Sequence, residues 1–140
     1  MATTGPIILI EDDEDDIDLF REAMRENETP NTLIIFPGGS DALSYLASTT
    51  DQPFLIICDV NLPRQNGIEF KTAIDSNPYL RKKSIPFIFY STYVAQQAVD
   101  EAFSNLTVQG FFQKNDSYSE FKKTMRIIVE YWSLCRHPDN

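Results

Sequence analysis

The sequence predicts an α/β fold: an open parallel sheet of five strands with five helices packed over its faces. Three observations carry that expectation. Short apolar runs of strand length alternate along the chain with stretches of helical period. Runs such as "PIILI" and "FLIIC" are apolar throughout, without the polar alternation of a strand that faces water on one side, so they belong in a sheet covered on both faces. Several of these runs end abruptly in a charged or hydroxyl residue.

The first strand is "PIILI", ending at the carboxylates Glu11 and Asp12. From Asp15 to Glu28, Ile17, Phe20 and Met24, with Leu19 and Ala23, recur at steps of three and four, the stripe of an amphipathic helix that Pro30 stops. "TLIIF" (Thr32 to Phe36) is the second strand, and Pro37, Gly38 and Gly39 turn the chain. Ser40 or Asp41 is placed to cap a short helix over "ALSYLA". "FLIICD" (Phe54 to Asp59) is the third strand, "LPRQNG" a loop, and "IEFKTAI" a helix closed by "SNP". "IPFIFYS" (Ile85 to Ser91) is the fourth strand and "VAQQAVDEAF" a weakly amphipathic fourth helix. "VQGFFQK" (Val108 to Lys114) is the fifth strand, and the last helix, Tyr118 to Leu134, puts Phe121, Met125, Ile128, Val129 and Trp132 on one stripe.

Length and composition agree with one domain, expected over residues 5–135 with flexible termini at 1–4 and 136–140. No run is long and apolar enough for a membrane span and no secretory pattern opens the chain, so a cytoplasmic protein that does not engage a membrane is expected. The two cysteines have neither metal-type spacing nor a disulfide framework, and strand alternation turns Cys58 away from Asp59 into the core. With 21 acidic against 12 basic residues, a formal charge of -9, the chain repels phosphate backbones, and nucleic acid is not an expected partner.

In an open α/β sheet, ligands bind beyond the carboxyl ends of the strands. Applied to this sequence, the rule collects Glu11, Asp12, Asp59, Ser91 and Lys114 at one rim. Crowded carboxylates repel one another unless a positive charge intervenes, and their hard oxygens suit Mg²⁺, so the acidic block reads as half of a metal site. Asp13, Glu14, Asp15 and Asp16 read as the solvated start of the first helix, complementing its dipole.

The segments "ILIEDD", "LIICDVNLPRQNGIEF", "FIFYST" and "GFFQK" together resemble the signature segments of CheY-like receiver domains, the phosphoacceptor modules of two-component response regulators. The resemblance covers nearly the whole chain, in order. It implies a flavodoxin-like doubly wound sheet of strand order 2-1-3-4-5 and a stand-alone, single-domain regulator. It implies that Asp59 takes a phosphoryl group from a histidine kinase or histidine phosphotransfer protein. By the same resemblance Glu11, Asp12, Asp59 and the backbone carbonyl of Asn61 hold Mg²⁺, and Ser91, the Thr92 backbone amide and Lys114 bind the phosphoryl oxygens. Ser91 and Phe111 take the places of the family's switch pair.

Thr92 stands where a smaller residue is usual, Asn115 where proline is common and Asn66 where aspartate is frequent; none of them removes a group that the chemistry requires. No output module is expected after the last helix, so the chain acts through protein contacts. A downstream target and a homodimer both fit a surface of fourth helix, fifth strand and fifth helix, with Tyr93, Phe103 and Tyr118 exposed. Two alternatives remain at this stage. One is an aspartyl-phosphate phosphatase, which wants a second aspartate where this chain has Asn61; the other is a flavodoxin-like interaction module without phosphotransfer.

Overall fold

The computed structural model describes residues 4–62, 66–91, 100, 104, 108–114 and 117–135. The elements in order are β1 (Ile7–Ile10), α1 (Glu14–Glu26), β2 (Leu33–Phe36), α2 (Gly39–Ser48), β3 (Leu55–Cys58), α3 (Gly67–Asp75), α4 (Pro78–Lys83), β4 (Phe87–Ser91), β5 (Gly110–Gln113) and α5 (Tyr118–Leu134). All pairings are parallel and the strand order is β2-β1-β3-β4-β5, the expected doubly wound sheet. Outside the described residues lie Thr92, Tyr93, Phe103, Asn115, the termini apart from Thr4, and the expected fourth helix, 94–103, apart from Asp100.

Strand alternation divides the core in two. Ile8, Ile10, Ile56, Cys58, Phe87 and Phe89 pack with Ala42, Leu46, Phe70, Ile74 and Leu80 on one face. Ile7, Leu9, Leu55, Ile57, Ile88 and Tyr90 pack with Phe20, Ala23, Met24, Phe121, Met125 and Ile128 on the other. The second layer interlocks edge to face, with Phe20 and Phe121 ring centroids 4.9 Å apart. Each such side chain, fully buried, stabilises by roughly 1.5–3 kcal/mol over exposure. Two-sided burial is thus the physical reason for the unbroken apolar runs in β1, β3 and β4.

The differences from expectation are local. "SNP" starts a helix as well as ending one: Asn77 caps α4 by accepting from the N–H groups of Tyr79 and Leu80, and Pro78 supplies the fixed φ of a first helical residue. α2 begins at Gly39 with Gly38 as its cap and no side-chain cap bond, so neither Ser40 nor Asp41 caps it. Leu19 lies off the buried stripe of α1, 40% exposed. Tyr118 is half-buried and its hydroxyl donates to Glu26, fastening α5 to α1.

Register positions the rim. Ile10 pairs with Cys58, Cys58 with Phe89, and Ser91 with Gln113. The ladder runs one step further, with Asp59 N–H donating to Ile10 O at 3.0 Å and Lys114 N–H to Ser91 O at 2.8 Å. Glu11 and Asp59 therefore leave the adjacent strands β1 and β3 side by side, and Lys114 leaves β5 at the same edge, with β4 between. Gly67 opens α3 against this edge: a Cβ there would stand 2.5 Å from the carbonyl oxygen of Asp59 and 3.0 Å from Val60 Cα, a closeness only glycine permits. Asn66 does the work of the more frequent aspartate, accepting from Glu69 N–H at 2.8 Å to cap α3.

Candidate functional site

Asp59 follows β3 directly and is 8% exposed, Glu11 follows β1 and is 1% exposed, and Ser91 closes β4 fully buried. Glu11, the exposed Asp12 and Asp59 each offer a carboxylate oxygen within 4.8 Å of the others. That donor set, hard, anionic and partly open to solvent, fits a divalent cation of the magnesium type, which takes few protein carboxylates and keeps waters.

Lys114 reaches this cluster from the end of β5. Its Nζ donates to Glu11 Oε1 at 2.5 Å, to Asp16 Oδ2 at 2.7 Å and to Asp59 Oδ2 at 3.3 Å. Burial alone would lower the lysine pKa, but the Asp16 and Glu11 carboxylates outweigh it and hold the ammonium above its ordinary value. Glu11 moves the other way from a free carboxylate: burial, with Asp59 beside it, overrides Lys114 and pushes its pKa up to about 8. Burial and the neighbouring carboxylates also raise the Cys58 thiol, whose Sγ donates to the Asp59 carbonyl from within the core, so this cysteine is structural.

Two side chains do more than the sequence announced. Asn61 joins Asp59 to Ser91: its backbone N–H donates to Asp59 Oδ1 at 3.0 Å, and its Nδ2 donates to Ser91 Oγ at 3.0 Å. Asp16, expected as a solvated helix-start residue, is instead a partner of Lys114. No local spacing announces that contact, because Asp12 precedes the Asp13 cap and lies outside α1. Asp13 keeps the expected helix-start role, accepting from the N–H groups of Asp15 and Asp16. Phe111 is half-buried on β5, its ring 5.2 Å from Phe89.

Glu11, Asp12, Asp59 and Lys114 thus meet where the strands end, and Ser91 connects to them through Asn61. The Thr92 amide lies outside the described residues. A carboxylate nucleophile, a donor set for a cation and an ammonium at one rim are what phosphoryl transfer to aspartate requires.

Known proteins share both fold and sequence. The chain is 28% identical over 131 residues to Response regulator Rcp1 of Synechocystis sp., covering 90% of this chain and 87% of that protein. A phosphorylated cyanobacterial phytochrome response regulator, RcpA, superposes with a TM-score of 0.84 at 29% identity, over 95% of this chain and 97% of that one. The Mn²⁺-bound form of Rcp1 gives 0.80 at 26% identity, over 94% and 97%. The family model described as the response regulator receiver domain matches residues 7–126. Fold, rim and sequence converge, and the chain belongs to the receiver domains of response regulators, signalling modules of two-component systems.

Proposed function

We propose that Asp59 is the phosphoacceptor and that residues 5–135 act as one cytoplasmic receiver unit. A histidine kinase or histidine phosphotransfer protein supplies the group: the N–P bond of the phosphohistidine breaks, an Asp59 Oδ–P bond forms, and the imidazole keeps the electron pair. The chain promotes its own phosphorylation and hydrolysis but turns over no other substrate. Glu11, Asp12, Asp59 and the Asn61 backbone carbonyl would hold Mg²⁺, which when bound supplies Lewis-acid charge neutralisation.

The protein's own groups do the rest. Lys114 balances charge on the transferring group, Ser91 and the Thr92 amide receive its oxygens, and Asn61 orients Asp59 through its N–H. As Ser91 moves to the phosphoryl group, Phe111 shifts into the space beside Phe89, a packing change biased by local charge. The signal passes to a downstream protein or to a second copy of the chain, through β5 and the last helix, where Ile127, Tyr131 and Leu134 form an exposed apolar row.

The observation that carries this reading is the meeting of the Lys114 ammonium and the Asp59 carboxylate beside Glu11 and Asp12. Incubation with acetyl phosphate and Mg²⁺ tests it. Mass mapping should find one labile phosphoryl group on Asp59, absent from Asp59→Asn and absent without the metal. Label on another residue, or persisting in Asp59→Asn, overturns the assignment.

A further inference from the structure

An ammonium group has three hydrogens to donate. Among the described residues, those of Lys114 are met by three carboxylates, with the shorter contacts to Glu11 and Asp16 and the longest, 3.3 Å, to Asp59. A phosphoryl oxygen arriving at Asp59 takes over the contact that Lys114 makes there, and gains a second donor from it only if Glu11 or Asp16 yields. Glu11 is 1% exposed, so water has no access to take the place of its partner. The Asp16 side chain is 27% exposed and lies in the first turn of α1, where water and the helix dipole can take over.

We propose that Asp16 is a positioning residue that holds Lys114 at rest and is the partner the phosphoryl group displaces. This rests on the reading of Asp59 as phosphoacceptor and adds to it a built-in competitor for the cation. While Asp16 holds Lys114, the ammonium makes its shorter contacts to Asp16 and Glu11 and its longest, 3.3 Å, to the acceptor, and a second negative charge stands in the path of an anionic donor. Release of Asp16 frees the start of α1 from β5, so the same event that charges Asp59 loosens a contact between α1 and the far edge of the sheet.

The test compares uptake of phosphoryl from acetyl phosphate, P–O bond broken and acetate released, at sub-saturating donor with Mg²⁺. Asp16→Asn should raise the second-order rate by about fivefold, the factor to which roughly 1 kcal/mol of partly exposed ion pairing corresponds. Asp16→Glu, which restores a carboxylate, should return it towards the wild-type value. Asp15→Asn removes the same charge from the same turn at an exposed residue with no contact to Lys114, and should change the rate less than twofold. A second readout needs no donor: ¹⁵N spectra should show the Lys114 ammonium protons exchanging faster with solvent in Asp16→Asn. Equal acceleration by Asp15→Asn, or no acceleration by Asp16→Asn in a wild-type background that is labelled, overturns the proposal alone. A wild-type protein that takes no label overturns the Asp59 reading and this one with it.

Discussion

Two lysines enter the interior of this molecule, and they share little beyond burial. Lys71, on α3, is 3% exposed, its Nζ 2.9 Å from Asp75 Oδ1 and 4.9 Å from the centroid of Phe87, the residue that opens β4. Lys114 lies at the opposite end of the strands among Glu11, Asp16 and Asp59. Burial lowers the pKa of Lys71 more than Asp75 restores it, whereas the carboxylates around Lys114 raise its pKa despite burial. The difference teaches that a buried cation becomes functional where anions outnumber it. A matched pair over an aromatic ring is a packing element, but an excess of carboxylates leaves negative charge for a metal to neutralise and a nucleophile to use.

The largest effect that sharpens this contrast comes from Lys114→Met. Removing the only described cation of the rim leaves buried carboxylates facing one another and should destabilise the metal-free protein by about 3 kcal/mol in urea denaturation. Mg²⁺ should return part of that loss, and a midpoint unmoved by the substitution would contradict the charge balance described.

The next is pH dependence. With the Glu11 pKa raised to about 8, its protonated form is the one that folding favours. Its contribution to metal-free stability is full below the unfolded carboxyl value and is lost as pH rises through about 8. Metal binding needs the carboxylate, so divalent affinity should climb about tenfold from pH 6 to pH 7 and level off above the Glu11 value. Calorimetry in two buffers of different ionisation enthalpy measures the proton released, and pH-independent binding would show that Glu11 is already ionised at rest.

The smallest effect is expected at the other lysine. Replacing the pair together, Lys71→Met with Asp75→Leu, should change stability by no more than about 1 kcal/mol and leave phosphoryl uptake unaltered. Altered uptake in that double variant would break the comparison by tying the amino-terminal edge of the sheet to the chemistry.

Much of this was legible in the residues. Unbroken apolar runs, each closed by a charged or hydroxyl group, marked β1, β3 and β4 and foretold which residues meet at the rim. The stripe of α5 was readable to its bounds, because Phe121, Met125 and Ile128 face the sheet at regular steps. α4 was hidden because a proline after asparagine signals both a stop and a start, and only packing decides which. Leu19 misled because a single apolar residue beside a stripe looks like its edge. The partnership of Asp16 with Lys114 spans most of the chain, and no local pattern encodes a contact that only strand register creates. Asn61 was valued for its backbone alone, since spacing from Asp59 carries no hint of what its amide reaches.

That amide has a mechanical consequence. One residue grips the acceptor with its main chain and the β4 hydroxyl with its side chain, so neither neighbour can be repositioned without the other registering the pull. The last turn of the sheet behaves like a drawn bowstring, with Asn61 as the finger on it.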